Sequence, residues 1–126
     1  MNIVTAFEAH ATSTRVALHN GDISTNYRDL FGMAQRVHGG LEARGVVPGD
    51  RILLVGTSTP EFVACLLGIL RAGAVVVPVN PFTAGWESGM AIGLIDPVLV
   101  FAGAVAEKEL VESHLPCPLV ALEGPS

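Results

Sequence analysis

Positive charge is scarce in this chain: seven Lys and Arg are scattered among 126 residues and outnumbered by twelve Asp and Glu, for a formal net charge of -5. Nucleic acid is therefore not an expected partner, because neutralising its phosphates takes grouped cations. Cysteine is scarcer still. Cys65 and Cys117 have neither metal-ligand nor redox spacing, so two reduced structural thiols are expected and no metal site. Long apolar runs are missing too. Nothing approaches the ~20 residues that cross a bilayer, and Met1-Asn2-Ile3-Val4-Thr5 has no basic region leading into an apolar one. No membrane span is expected, and a cytoplasmic location is the default. Internal repeats and low-complexity segments are also absent.

What is present is apolar sequence in short pieces. Half the residues are hydrophobic, and 126 residues suffice for one compact α/β unit that buries about two-thirds of its unfolded surface. The chain is organised around Arg51 to Pro81. Ile52 to Val55 and Ala74 to Val77 are unbroken apolar runs without alternation, as expected of strands covered on both faces of a parallel sheet. Between them Ser58 or Thr59 can cap a helix, Pro60 suits its first turn, and Glu61 faces the positive end of the dipole. Arg71 falls in the last turn and Gly73 can take the left-handed conformation that closes it.

Upstream, Thr5-Ala6-Phe7-Glu8 has the form of a capping box, predicting a short helix to about Ala11. Asn20-Gly21, flanked by Val16 to His19 and by Asp22 to Thr25, predicts a β-hairpin with a two-residue turn. His19 beside that turn is expected to be solvated rather than a ligand. From Tyr27 to Arg44, Leu30, Ala34, Val37 and Leu41 recur at helical spacing behind a cap at Asn26, with Gly45 as the stop. Gly39-Gly40 inside this segment predicts close packing or a frayed last turn. Pro48-Gly49-Asp50 reads as a turn.

Downstream, Thr83 can cap a helix in which Trp86, Met90 and Leu94 share an apolar stripe. Gly85, Gly89 and Gly93 share another, which would let a second backbone approach. Asp96-Pro97 ends it, and Val98 to Phe101 is expected as a buried strand. Ala104 to His114 reads as a helix with Glu107, Lys108, Glu109 and Glu112 solvated, and Leu119 to Leu122 as a fourth strand after Pro116-Cys117-Pro118. Alternating strands and helices imply a parallel sheet with right-handed crossovers.

Four motifs carry a family resemblance. Asn26-Tyr27-Arg28-Asp29-Leu30, Gly45-Val46-Val47-Pro48-Gly49-Asp50-Arg51, Pro60-Glu61-Phe62, and Leu70 to Pro81 resemble, in order and spacing, the early core of the adenylate-forming (AMP-binding) superfamily. The resemblance runs over roughly Phe7 to Phe101 and is closest to acyl-CoA synthetases and fatty acyl-AMP ligases; peptide-synthetase domains more often carry Asp at the place of Asn80. It implies a three-layer α/β fold, with a mostly parallel sheet, flanking helices and an N-terminal β-hairpin, forming the first part of the family's large N-terminal domain. It also implies a reaction in which ATP and a carboxylic acid give an acyl-adenylate, and the acyl group then passes to a thiol. ATP, Mg and CoA are cofactors expected of a full-length parent.

The family's Ser/Thr/Gly-rich phosphate loop and its later adenine, ribose and catalytic Lys motifs match no stretch here. No residue is assigned a catalytic, cofactor-binding or metal role, and the isolated chain is expected to be inert. Expected partners are the remainder of a parent enzyme or a second copy. Two other readings stay open. One is a stand-alone interaction module. The other is an anion or nucleotide site at Gly56-Thr57-Ser58-Thr59, where a strand leads into a helix N-terminus, although one glycine and no following Lys match neither nucleotide fingerprint. Glu8, Asp22, Asp29 and Glu61 form no carboxylate pair by spacing.

Overall fold

A computed structural model describes residues 13–20, 23–82, 89–103 and 115–122. The expected helices at Thr5 to Ala11 and Ala104 to His114, and the Thr83 cap with Trp86, lie outside the described residues.

A hairpin comes first, from β1 (Val16–Asn20) and β2 (Ile23–Asn26), paired antiparallel. Asn20 pairs with Ile23, so β1 runs one residue further than expected and takes in Asn20, which was expected in the turn; Gly21 and Asp22 lie outside the described residues. The cross-strand pair His19 and Ser24 fixes this register, with Ser24 Oγ 3.0 Å from His19 Nδ1. His19 is exposed, as expected. Helix α1 (Tyr27–Ala43) follows directly, because the Asn26 side chain accepts the Asp29 N–H at 2.8 Å and caps it.

Four parallel strands form the sheet: β3 (Arg51–Val55), β4 (Val75–Val79), β5 (Leu99–Ala102) and β6 (Leu119–Ala121), in the order β4-β3-β5-β6. Side chains alternate across β3. Ile52 and Leu54 enter one core, with Leu41 of α1 and with Cys65 and Ile69 of α2 (Pro60–Arg71). Leu53 and Val55 enter the other, against Ile92 of α3 (Gly89–Ile95). All four are buried, which is why this strand shows no polar alternation. A third cluster joins the helices to the hairpin through Leu30, Phe31, Ala34, Ala64 and Leu67.

Helix α2 begins and ends where its residues predict. Thr59 is the cap, its hydroxyl accepting the Phe62 N–H at 3.2 Å, and Gly73 closes the turn at φ +77°. Pro78 sits within β4 without breaking the ladder. Val75 N–H donates to Asp50 and Val79 C=O accepts from Gly56, so the odd-numbered residues face β3 and the prolyl nitrogen faces away.

Two expectations about glycine need correction. Helix α1 runs intact through Gly39 and Gly40, with Arg44 N–H still bonded to Gly40 C=O, and a Cβ at either glycine would meet nothing within 4 Å. The pair is neither close-packed nor frayed, because it lies on the solvent face. The close approach is at Gly68 instead, where a Cβ would lie 2.6 Å from Val37 Cγ1 and 2.9 Å from the Ala34 carbonyl oxygen. Likewise, Leu94 is 81% exposed while Ile92 is buried, so Leu94 is not part of an inward stripe. Ile92 and Ile95, three residues apart on one helix face, meet the sheet instead. Gly93 is exposed and would meet nothing.

Candidate functional site

In an open parallel sheet, ligands gather outside the carboxyl ends of the strands where the order reverses. Here that point lies at β3, from which the chain goes to β4 on one side and returns to β5 on the other. The loop leaving β3 is Gly56-Thr57-Ser58-Thr59. With Phe62, Pro78, Val79 and Asn80 it lines a shallow cavity of about 300 Å³.

The polar groups of this cavity are largely engaged by the fold. Gly56 N–H donates to Val79 C=O at 3.1 Å, and Thr59 N–H to Thr57 C=O at 2.7 Å. The Thr59 hydroxyl holds the helix cap, and the Asn80 side chain accepts the Phe82 N–H at 2.9 Å. Thr57 and Ser58 are exposed, no cation lines the cavity, and Glu61 lies in the first turn of α2. A triphosphate needs several converging amides and positive charge. These residues do not fit one.

The cysteines are not a site either. Cys65 is buried in α2, and burial pushes its thiol pKa up to about 12. Cys117 is half-buried; burial, then the charge of Asp96, raises its pKa as well. Both thiols stay neutral at physiological pH, which removes the nucleophilic form. Among the described residues no group of His, Cys, Asp and Glu is placed to hold a metal ion, no buried side chain is charged or polar, and no helix is long and apolar enough to cross a membrane.

Sequence reasoning missed a groove of about 360 Å³ between α1, α2 and the β5–β6 edge. Val37, Leu41, Cys65, Phe101, Val120 and Leu122 floor it, and Arg36, Arg44 and Glu61 line it too. The signal was present on α1. Arg36 and Arg44 flank the stripe of Val37 and Leu41, but a helical wheel alone assigns such residues to solvent.

Comparison with known proteins decides the family. A family model described as AMP-binding enzyme matches residues 6–123, nearly the whole chain. The chain belongs to the AMP-binding enzymes. Among curated AMP-binding relatives, it is 31% identical over 118 residues to the medium/long-chain fatty-acid–CoA ligase FadD6 of Mycobacterium tuberculosis, covering 92% of this chain and 19% of that protein. It is 38% identical over 74 residues to a dimodular nonribosomal peptide synthase of Bacillus subtilis, covering 59% of this chain and 3% of that one. A benzoate CoA ligase from Burkholderia xenovorans superposes with a TM-score of 0.83 at 27% identity, covering 96% of this chain and 26% of the other. The resemblance read from the four motifs is therefore correct, as is the α/β architecture with a parallel sheet and separate hairpin. The chain spans about a fifth of the length of the first of these relatives.

Proposed function

We propose that this chain is the N-terminal segment of an ATP-dependent ligase that activates a carboxylic acid as its acyl-adenylate and transfers the acyl group to a thiol, in the manner of an acyl-CoA synthetase. By itself it is inert. In this reading its residues build scaffold: β3, α2 and β4 form the first turn of a sheet on which polypeptide from elsewhere in a longer protein assembles the ATP, Mg and CoA sites.

The observation that carries this reading is the state of the β3–α2 loop. The cavity sits where an open α/β sheet takes its ligand, yet Gly56, Thr59 and Asn80 direct their hydrogen bonds into the fold and no cation lines the cavity. Electrostatic stabilisation of developing charge is usually the largest catalytic contribution, and these residues supply little of it. Kinship with a fatty-acid–CoA ligase over 92% of this chain supports the reaction class.

The test is ATP–pyrophosphate exchange with the purified chain and a panel of fatty and aromatic acids. No exchange above background is expected, and calorimetric titration with ATP should be flat. Saturable ATP binding lost on Thr57→Ala and Ser58→Ala would favour a small nucleotide-binding domain instead. Robust exchange would overturn the scaffold reading outright.

A further inference from the structure

The four-stranded sheet ends in two unlike edges. On β4 the odd-numbered residues bond to β3, so Val76 and Pro78 turn their backbone outward, and Pro78 has no N–H to offer. A proline at such a place guards against strand addition. On β6, Pro118 C=O accepts from Val100 N–H at 3.1 Å and Leu122 N–H donates to Ala102 C=O at 2.9 Å. The even-numbered residues therefore serve β5, and Leu119 and Ala121 turn their N–H and C=O groups to the free side. No charge guards this edge, either in Leu119-Val120-Ala121 or in Pro118 and Leu122 beside it. Among the described residues no strand lies beyond β6.

The side chains of this edge suit a copy of itself. Val120 and Leu122 lie on the face of α1 and α2, whereas Leu119 lies on the face of Leu53 and Val55, to which alternation also turns Ala121. Val120 and Leu122 are only half-buried and Ala121 is exposed, so neither helix closes the edge. With two β6 strands antiparallel about a two-fold axis at Val120, Leu119 of each copy stands opposite Ala121 of the other. Each such pair exchanges both of its hydrogen bonds, which satisfies every outward N–H and C=O of the strand. A large side chain meets a small one on both sides of the axis, and Val120 meets Val120 at the closer, non-hydrogen-bonded position, where β-branched side chains pack well. In a parallel pair an outward residue falls between two outward residues of its neighbour, an offset that equivalent copies cannot share. Only the antiparallel pairing is symmetric.

We infer that β6 is a strand-addition edge whose occupant is a second copy of this chain, the two β6 strands running antiparallel at the centre of one continuous sheet. The inference goes beyond the proposed scaffold role and needs no nucleotide site. A contact through a strand of 3 residues belongs to the small, transient class, so pairing is expected at high protein concentration.

Sedimentation equilibrium over a dilution series reaching the millimolar range reads the mass, and amide hydrogen exchange at both ends of the series reads the edge. A monomer–dimer equilibrium is expected, with the Leu119 and Ala121 amides exchanging severalfold more slowly in the concentrated sample and the outward Val76 amide of β4 unchanged. Ala121→Pro removes an outward N–H, and Ala121→Lys sets a cation on each side of the axis; each should weaken association by about tenfold or more. Val75→Lys, at a position of β4 that is 47% exposed, is the control and should associate like the natural chain. Circular dichroism checks that the variants fold.

A monomer at every concentration leaves the edge to some other strand and overturns the inference. Association that both Ala121 variants retain, association lost only with Val75→Lys, and growth past the dimer each overturn it as well. Should neither Ala121 variant fold, exchange in the natural chain decides alone: slowing at Leu119 and Ala121 upholds the pairing, and no dependence on concentration ends it. Failure of the scaffold reading has a separate signature, namely ATP–pyrophosphate exchange by the chain alone.

Discussion

Helices α1 and α2 pack against each other on one face of the sheet, yet they are built on opposite plans. Helix α1 buries a stripe, Leu30, Phe31, Ala34 and Leu41, and turns Arg28, Asp29, Arg36 and Glu42 to solvent. Helix α2 has charge only at its two ends, Glu61 and Arg71, and buries Ala64, Cys65, Leu67, Gly68 and Ile69 between them. A wet helix can absorb an added methyl on its outer face. A dry one cannot, because interiors are packed at crystal-like density and a new atom must displace an old one. The same residue type, glycine or a titratable group, therefore has opposite consequences in the two helices.

The largest expected effect comes from ionising the thiol in the dry helix. Cys65 titrates at about 12 when folded and close to its ordinary value of 9.0 when unfolded. Between those values the unfolded chain loses its proton first, so stability is unaffected below pH 9 and falls as pH rises from 9 towards 12. About 1.4 kcal/mol per pH unit over three units gives a loss on the order of 4 kcal/mol. Urea unfolding at pH 8.5, 10 and 11.5 should display this slope in the natural chain, and Cys65→Ala should flatten it. An equal slope in both would mean that α2 is wetter than described.

The next effect is steric. Gly68→Ala puts a methyl 2.6 Å from Val37 Cγ1 and 2.9 Å from the Ala34 carbonyl oxygen, inside the contact between the two helices. Overpacking of this kind costs about 1–3 kcal/mol, and the backbone contact places this site near the upper end. Val37→Ala in the same chain should restore only a minor part of the loss, since it removes Cγ1 but leaves the residue-37 Cβ at 2.7 Å and the Ala34 carbonyl at 2.9 Å. A double-mutant cycle measures the recovered part, and full additivity would show that the helices do not meet there.

The first turns of the two helices were legible because capping chemistry is local. Asn26 and Thr59 lie within three residues of the amides they accept, and Pro60, Glu61, Arg71 and Gly73 mark their positions without reference to anything distant. Burial of β3 was legible because Ile52 to Val55 has no polar alternation, but the same pattern over Ala74 to Val77 misled: β4 is an edge strand, with Val75 47% exposed and Val76 and Val77 only half-buried. Which glycine is crowded was not legible, because Gly39, Gly40 and Gly68 differ only in what another helix brings to them. The groove was hidden for the same reason. It is assembled from α1, α2, β5 and β6, and no one of these shows it alone. The turn of α3 that buries Ile92 and exposes Leu94 also depends on the sheet beneath it. The β3–α2 loop was legible as a strand-to-helix turn. That its donors are engaged by Val79, Thr57 and the cap could only be seen with the neighbouring strand in place.

The two caps allow a finer comparison, because they share a geometry and differ in surroundings. Removing a capping side chain costs about 1 kcal/mol. Asn26→Ala frees an amide that water can reach, whereas Thr59→Ala frees the Phe62 amide in a part-buried setting, where an unmade hydrogen bond is costlier. Thr59→Ala should therefore lower the urea midpoint more than Asn26→Ala. Equal shifts would mean that solvent enters the β3–α2 loop freely.

The smallest effect has the opposite sign. Gly39 is in the wet helix with nothing within 4 Å of a would-be Cβ, so Gly39→Ala removes backbone freedom from the unfolded chain without touching a neighbour. A stabilisation of about 0.8 kcal/mol is expected from the difference in helix propensity. Gly40→Ala meets the same open space and should stabilise the chain equally, so unequal urea midpoints for the two alanines would show that this face of α1 is not uniformly open.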